Sequence, residues 1–141
     1  MNTPVFITAC ISLLALIAHT FIGTKESILL SPSSTTNNGG QENQKLVQYW
    51  KQSMCAFQML TVDLLLMTIV LFIIAITEWI PFEYELILFL SLVFFLWGTV
   101  WLIQLFWLNT KTRTYLHLGQ WIFWFICSAL LIWGSTIPMM I

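Results

Sequence analysis

The sequence predicts an all-α integral membrane protein, a four-helix bundle with both termini on the extracytoplasmic side. Three observations predict it. Four apolar runs, at about 5–22, 54–76, 84–108 and 116–134, are each about as long as a bilayer's hydrocarbon core requires. Charged residues make up 8% of the chain and hydrophobic ones 59%, whereas a soluble domain is about 25% charged. All five cations, Lys25, Lys45, Lys51, Lys111 and Arg113, fall on the first and third connections between those runs. The second connection carries Glu78, Glu83 and, just beyond it, Glu85, and no cation. Cytoplasmic connections collect Lys and Arg, so both cationic connections are expected inside and both ends of the chain outside. At 141 residues the chain has room for one bundle, residues 1–141, and not for two domains.

The first run starts within a few residues of Met1, with no basic residue ahead of it, so a retained span is expected rather than a cleaved signal peptide. Ile7-Thr8-Ala9-Cys10 resembles a lipoprotein cleavage box, but the residues before it include no cation. Thr8, Ser12, Ala15 and His19 recur at helical spacing and make a small, weakly polar stripe, the kind of face along which membrane helices approach closely. Residues 24–44 form the one long hydrophilic connection, expected to be a flexible cytoplasmic loop. Its centre, Ser31-Pro32-Ser33-Ser34-Thr35-Thr36-Asn37-Asn38-Gly39-Gly40, cannot bury enough apolar surface to order itself. Its first part, Thr24 to Leu30, is less polar and suits the membrane surface.

The second helix is expected to begin near Lys45, with Leu46, Tyr49 and Trp50 in the interface, and to run to about Thr77. Pro81 disfavours helix at the residue before it, so Glu78 to Glu83 reads as a tight turn. Asn109 to Thr114 reads as a short polar hairpin between the third and fourth spans, and Pro138 ends the last helix. Trp79 and Trp133 then mark the outer interface, Trp50 and Trp107 the inner one.

Few polar side chains lie inside the runs. Counted inward from the cytoplasmic ends, His19, Gln58, Gln104 and Gln120 reach a similar depth, roughly 5 to 6 Å, one from each helix. Asp63 lies on the order of 13 Å inside the second run, and shares a helix face with Gln52, Ala56, Met59 and Met67. A carboxylate at that depth is costly in lipid, so it is expected to face the bundle interior. The default reading of the layer is structural: interhelical hydrogen bonds worth on the order of 1 kcal/mol each. The sharper reading is a site, with His19 and Asp63 as a proton-carrying pair and the glutamines orienting water or a small polar ligand. His117 reads as a headgroup-facing residue beside Lys111 and Arg113, and Trp97 with Trp101 as a packing stripe.

At Ala18-His19-Thr20-Phe21-Ile22-Gly23-Thr24-Lys25-Glu26 the chain resembles a family of small uncharacterised bacterial inner-membrane proteins. These are four-span proteins whose first helix ends in an Ala-His-x-x-x-Gly-Glu-like motif followed by a short Leu/Pro segment, here Ser27-Ile28-Leu29-Leu30-Ser31-Pro32. The likeness extends loosely to Leu118-Gly119-Gln120-Trp121-Ile122. Where the family carries an aromatic-His pair on the second helix, this chain has Phe57-Gln58, and Thr24-Lys25 interrupts the Gly-Glu step. The resemblance implies a multi-pass protein of the bacterial inner membrane and no particular activity.

Several chemistries are excluded on the sequence. A haem b site needs two axial histidines at matched depth, and only His19 is expected inside the membrane, His117 lying at its interface. There is no Ser-His-Asp set, Gly-rich phosphate loop or HExxH, and no basic stripe for nucleic acid. Cys10, Cys55 and Cys127 fall one per run without a CxxC pair and read as small buried apolar side chains. No cofactor is expected. The expected function is therefore non-enzymatic, that of a structural or accessory subunit packing through its helices. Its partners would be the lipid bilayer and either further copies of itself or a larger membrane complex. The alternative is a small proton-coupled transporter or channel using Asp63 and His19. An enzyme acting on lipid or quinone ranks last.

Overall fold

A computed structural model describes residues 1–32, 41–77, 80–108 and 119–137 of the chain. The described residues are helical and include no strand. Helix α1 is Thr3–Ala18, a π-helical stretch follows at His19–Gly23, and α2 is Thr24–Leu29. Then come α3 at Gln41–Ile76, α4 at Glu83–Trp107 and α5 at Gln120–Ser135. Three helical stretches, Thr3–Leu29, Asn43–Ile76 and Glu83–Trp107, are long and apolar enough to cross a membrane. Helix α5 is equally apolar but 16 residues long, short of the ~20 that a perpendicular span needs.

The helices overrun the expected loop from both sides. Residues 24–29 continue the first helix without a break, because no Gly or Pro lies between Thr24 and Leu30 to stop it. Gln41 already belongs to α3. The expectations for Ser33 to Gly40, for Glu78 and Trp79, for the hairpin at 109–114, for His117 and for Pro138 lie outside the described residues. Pro81 and Phe82 make the expected turn. Phe82 takes a left-handed backbone conformation, φ 67 and ψ 32, and α4 starts at the next residue. That first residue, Glu83, is buried, at the end of the helix where the backbone dipole favours a carboxylate.

Contacts group the chain into two compact units. The first comprises the described residues of 1–11 and 70–141. Its main contact is between α4 and α5. Ile87, Leu90, Phe94, Cys127 and Leu131 are buried there, and Trp124 lies against Phe94 and Trp97 with ring centroids 5.6 and 4.9 Å apart. The Trp97 end of the expected aromatic stripe is thus packing surface. The close approach is made possible by small residues. Ser91 Oγ donates to Ser128 O at 3.0 Å and lies 3.0 Å from Ser128 Oγ, and Gly98 faces the ring of Phe125. The start of the chain is fastened to this unit through Asn2. Its backbone N–H donates to Ala75 O at 3.1 Å and its side-chain amide to Gly134 O at 3.0 Å. A Cβ at position 134 would stand 2.9 Å from Val5 Cγ2 and 3.1 Å from Asn2 Oδ1, so glycine is what lets the N-terminus sit there.

The second unit comprises the described residues of 12–69. It contains the later part of α1, the π-helical stretch, α2 and the larger part of α3. Of the expected small-residue stripe on α1, this unit holds Ser12, fully buried, and Ala15 and His19, half-buried; Thr8, also fully buried, belongs to the first unit.

Candidate functional site around His19

The site begins with a backbone irregularity. After the regular turns of α1 the chain tightens into no turn but widens: the N–H of Thr24 bonds to His19 O, five residues back. Such π-helical insertions are uncommon and concentrate where a side chain must be re-aimed. Here the stretch carries His19 at its start and Gly23 at its end, and both meet the same residue of α3, Phe57.

His19 Nε2 lies 3.2 Å from the carbonyl oxygen of Phe57. A carbonyl oxygen only accepts, so Nε2 carries the hydrogen and donates it. The imidazole is also stacked on the Phe57 ring, with centroids 3.9 Å apart and planes 21° from parallel. Gly23 makes room for the tip of that ring: a Cβ there would lie 2.8 Å from Phe57 Cζ. Beside this contact, Gln58 Nε2 donates to Thr24 Oγ1 at 3.3 Å, and two turns nearer the start of α3 Trp50 Nε1 donates to Ser27 O at 3.1 Å. The hydroxyl of Thr61 reaches both Phe57 O, at 3.4 Å, and Gln58 Oε1, at 3.5 Å. Helix by helix, the polar atoms of this contact are used to tie the first helix to α3.

Of the five residues expected in the polar layer, this contact brings together His19 and Gln58. Asp63 stands apart from it. It lies on α3 roughly 9 Å beyond Phe57 along the axis, is exposed, and makes no hydrogen bond or ion pair with the described residues. Its expected face mates Gln52, Ala56 and Met59 are exposed with it, and Met67 is half-buried. The inward face of α3 is the one carrying Leu64, Thr68, Leu71 and Ala75, which are buried. Gln104 on α4 and Gln120, the first residue of α5, are exposed and belong to the other unit. Cys127 is buried and Cys10 half-buried, but Cys55 is exposed, against the expectation of burial for all three. Among the described residues no three His, Cys, Asp or Glu gather where they could hold a metal ion.

Several residues of this architecture were given no structural role from the sequence. Phe57 carries the site through its backbone oxygen and its ring; the sequence marks it only through the resemblance, as the aromatic of Phe57-Gln58, and gives it no role or partner. Gly23 stands in the motif from Ala18 to Glu26, and its usable signal is its place one helical turn after His19. In the first unit, Asn2, Glu83, Tyr84, Gly134 and Ser135 line a cavity of about 210 Å³. The buried Glu83 and Asn2 give it a polar wall.

The chain matches no protein-family model, no curated protein and no solved structure. What the fold and the site define is a class: an all-helical protein with three helices suited to crossing a membrane, tied together internally by polar side chains.

Proposed function

We propose that this chain is a non-enzymatic integral membrane protein that acts by packing, as a structural or accessory subunit, against copies of itself or within a larger membrane complex. The observation that carries the reading is the engagement of His19. Its Nε2–H is spent on a helix carbonyl and its face on an aromatic ring, which is the work of an interhelical tie. The Ser91–Ser128 pair between α4 and α5 supports the same reading. Thr8, Thr68 and Thr99 instead satisfy their hydroxyls on carbonyls of their own helices, which leaves them no demand on a ligand. The bacterial inner membrane is the location we assign, on the resemblance at Ala18 to Glu26, with both termini outside on the distribution of the five cations.

Two measurements test this. In a background with Cys10, Cys55 and Cys127 replaced by serine, Asn37→Cys should react with an impermeant thiol reagent only after the membrane is broken; labelling of intact cells would reverse the topology. Purified protein in proteoliposomes under an imposed pH gradient should carry no more proton flux than empty vesicles. Flux that disappears in Asp63→Asn would replace the accessory reading with the transporter one.

A further inference from the structure

Exposed residues on α3 recur in a heptad pattern. Gln52, Cys55, Met59, Val62, Leu66 and Ile69 follow one another at alternating steps of three and four, and each is exposed, Met59 by 69% and Leu66 by 55%. Written as a coiled-coil seam, Gln52, Met59 and Leu66 occupy a positions, and Cys55, Val62 and Ile69 occupy d positions. The flanks are open too: Gln58 and Leu65 at g, Ala56 and Asp63 at e, are exposed. An exposed apolar stripe on a membrane helix ordinarily faces lipid, and α4 has exposed Leu92, Phe95 and Ile103 of that kind. What distinguishes α3 is the carboxyl of Asp63 on the flank of its stripe. A group of that kind at that depth is placed against protein or water, not lipid.

The pattern names its own partner. Every copy of the chain inserts with the same orientation, so the α3 helices of two copies run parallel. In a parallel seam a g residue of one helix faces the e residue five positions further on in the other. Gln58 is at g and Asp63 is five residues on, at e. Gln58 gives one of its two amide hydrogens to Thr24 at 3.3 Å, and the second is left for a partner. We infer that a second copy of this chain docks in parallel on the stripe from Gln52 to Ile69, with Asp63 of each copy accepting a hydrogen bond from Gln58 of the other. A two-fold axis along the membrane normal makes that bond twice. Gln52, a polar residue at an a position, pins the register. This rests on the reading of the chain as a protein that acts by helix packing, and names the surface and the partner.

Cys55 supplies a native probe, because d residues of a parallel pair face each other across the axis. Membranes containing the wild-type chain, treated with copper–phenanthroline, should yield a disulfide-linked dimer that is lost in Cys55→Ser and kept in the Cys10→Ser/Cys127→Ser double variant. In a background with all three cysteines replaced by serine, Val62→Cys and Ile69→Cys should restore the link. Ser53→Cys, exposed but off the seam, should not. Asp63→Ala should weaken dimerisation in mild detergent about tenfold, two membrane hydrogen bonds' worth, and Asp63→Asn by much less. Absence of a Cys55-dependent dimer, a link at Ser53→Cys as strong as at Val62→Cys, or an unchanged dimerisation constant in Asp63→Ala would each overturn the inference. If the seam fails while the vesicles still carry no proton flux, this inference falls and the packing reading stands. An intact Cys55 link together with Asp63-dependent flux supports the docking and overturns the packing reading.

Discussion

Replacing His19 with leucine isolates the contact on which the functional reading depends. The substitution removes the Nε2 hydrogen bond to Phe57 O, 3.2 Å long, and the stack on the Phe57 ring at 3.9 Å. Hydrogen bonds between membrane helices contribute about 0.6 kcal/mol on average and up to about 1.7. An aromatic stack adds about 0.5–1.5 kcal/mol beyond its area. Phe57 O lies within α3 and is also reached by Thr61 Oγ1, so loss of the imidazole does not leave a carbonyl stranded in lipid. The expected cost is therefore about 1–3 kcal/mol, the sum of the two terms, with no desolvation penalty on top. His19→Phe keeps a ring and should lose only the hydrogen-bond part. The assay is reversible unfolding in mixed micelles of a mild detergent and rising dodecyl sulfate, followed by circular dichroism. A double-mutant cycle with Phe57→Leu should give a coupling of at least about 0.5 kcal/mol. Stability of His19→Leu within about 0.3 kcal/mol of wild type, or strict additivity with Phe57→Leu, would refute the reasoning. It would show that the imidazole is not a tie and reopen its use as a proton carrier.

The same unfolding assay reads three further substitutions. Gly134→Ala forces a methyl to within 2.9 Å of Val5 Cγ2 and 3.1 Å of Asn2 Oδ1 and should cost about 1–3 kcal/mol by overpacking, whereas unchanged stability would mean the N-terminus is not seated there. Ser91→Ala removes the buried hydroxyl that pairs with Ser128 and should cost about 0.5–1.5 kcal/mol, with Ser128→Ala adding little more once Ser91 is gone. Phe82→Gly relieves a left-handed conformation that an L side chain pays about 1–2 kcal/mol to hold, and since the ring is 76% exposed it forfeits little packing. Stability should rise by about 0.5–1 kcal/mol after glycine's extra freedom in the unfolded chain is subtracted, and a fall would show that the ring anchors the turn.

The helical class, the approximate positions of α3 and α4 and the turn at Pro81 were all legible in the amino acids alone. The reason is physical: in lipid every backbone polar group must be satisfied within its own helix, so membrane-length apolar runs have little choice of structure. The inward stripe of Thr8 and Ser12 was legible as well, because small polar residues stand out against large apolar ones. The face of α3 was not. Around Asp63 nearly every direction of the helix is apolar, so the sequence offers no contrast between a side that packs and a side that faces out. The carboxylate alone suggested the interior. Tertiary packing chose instead the face of Leu64 and Thr68, and turned Asp63 outward with Gln52, Ala56 and Met59. The partner of His19 was likewise decided by shape, since only the π-helical widening and the notch at Gly23 bring Phe57, rather than another residue of the same run, against the imidazole.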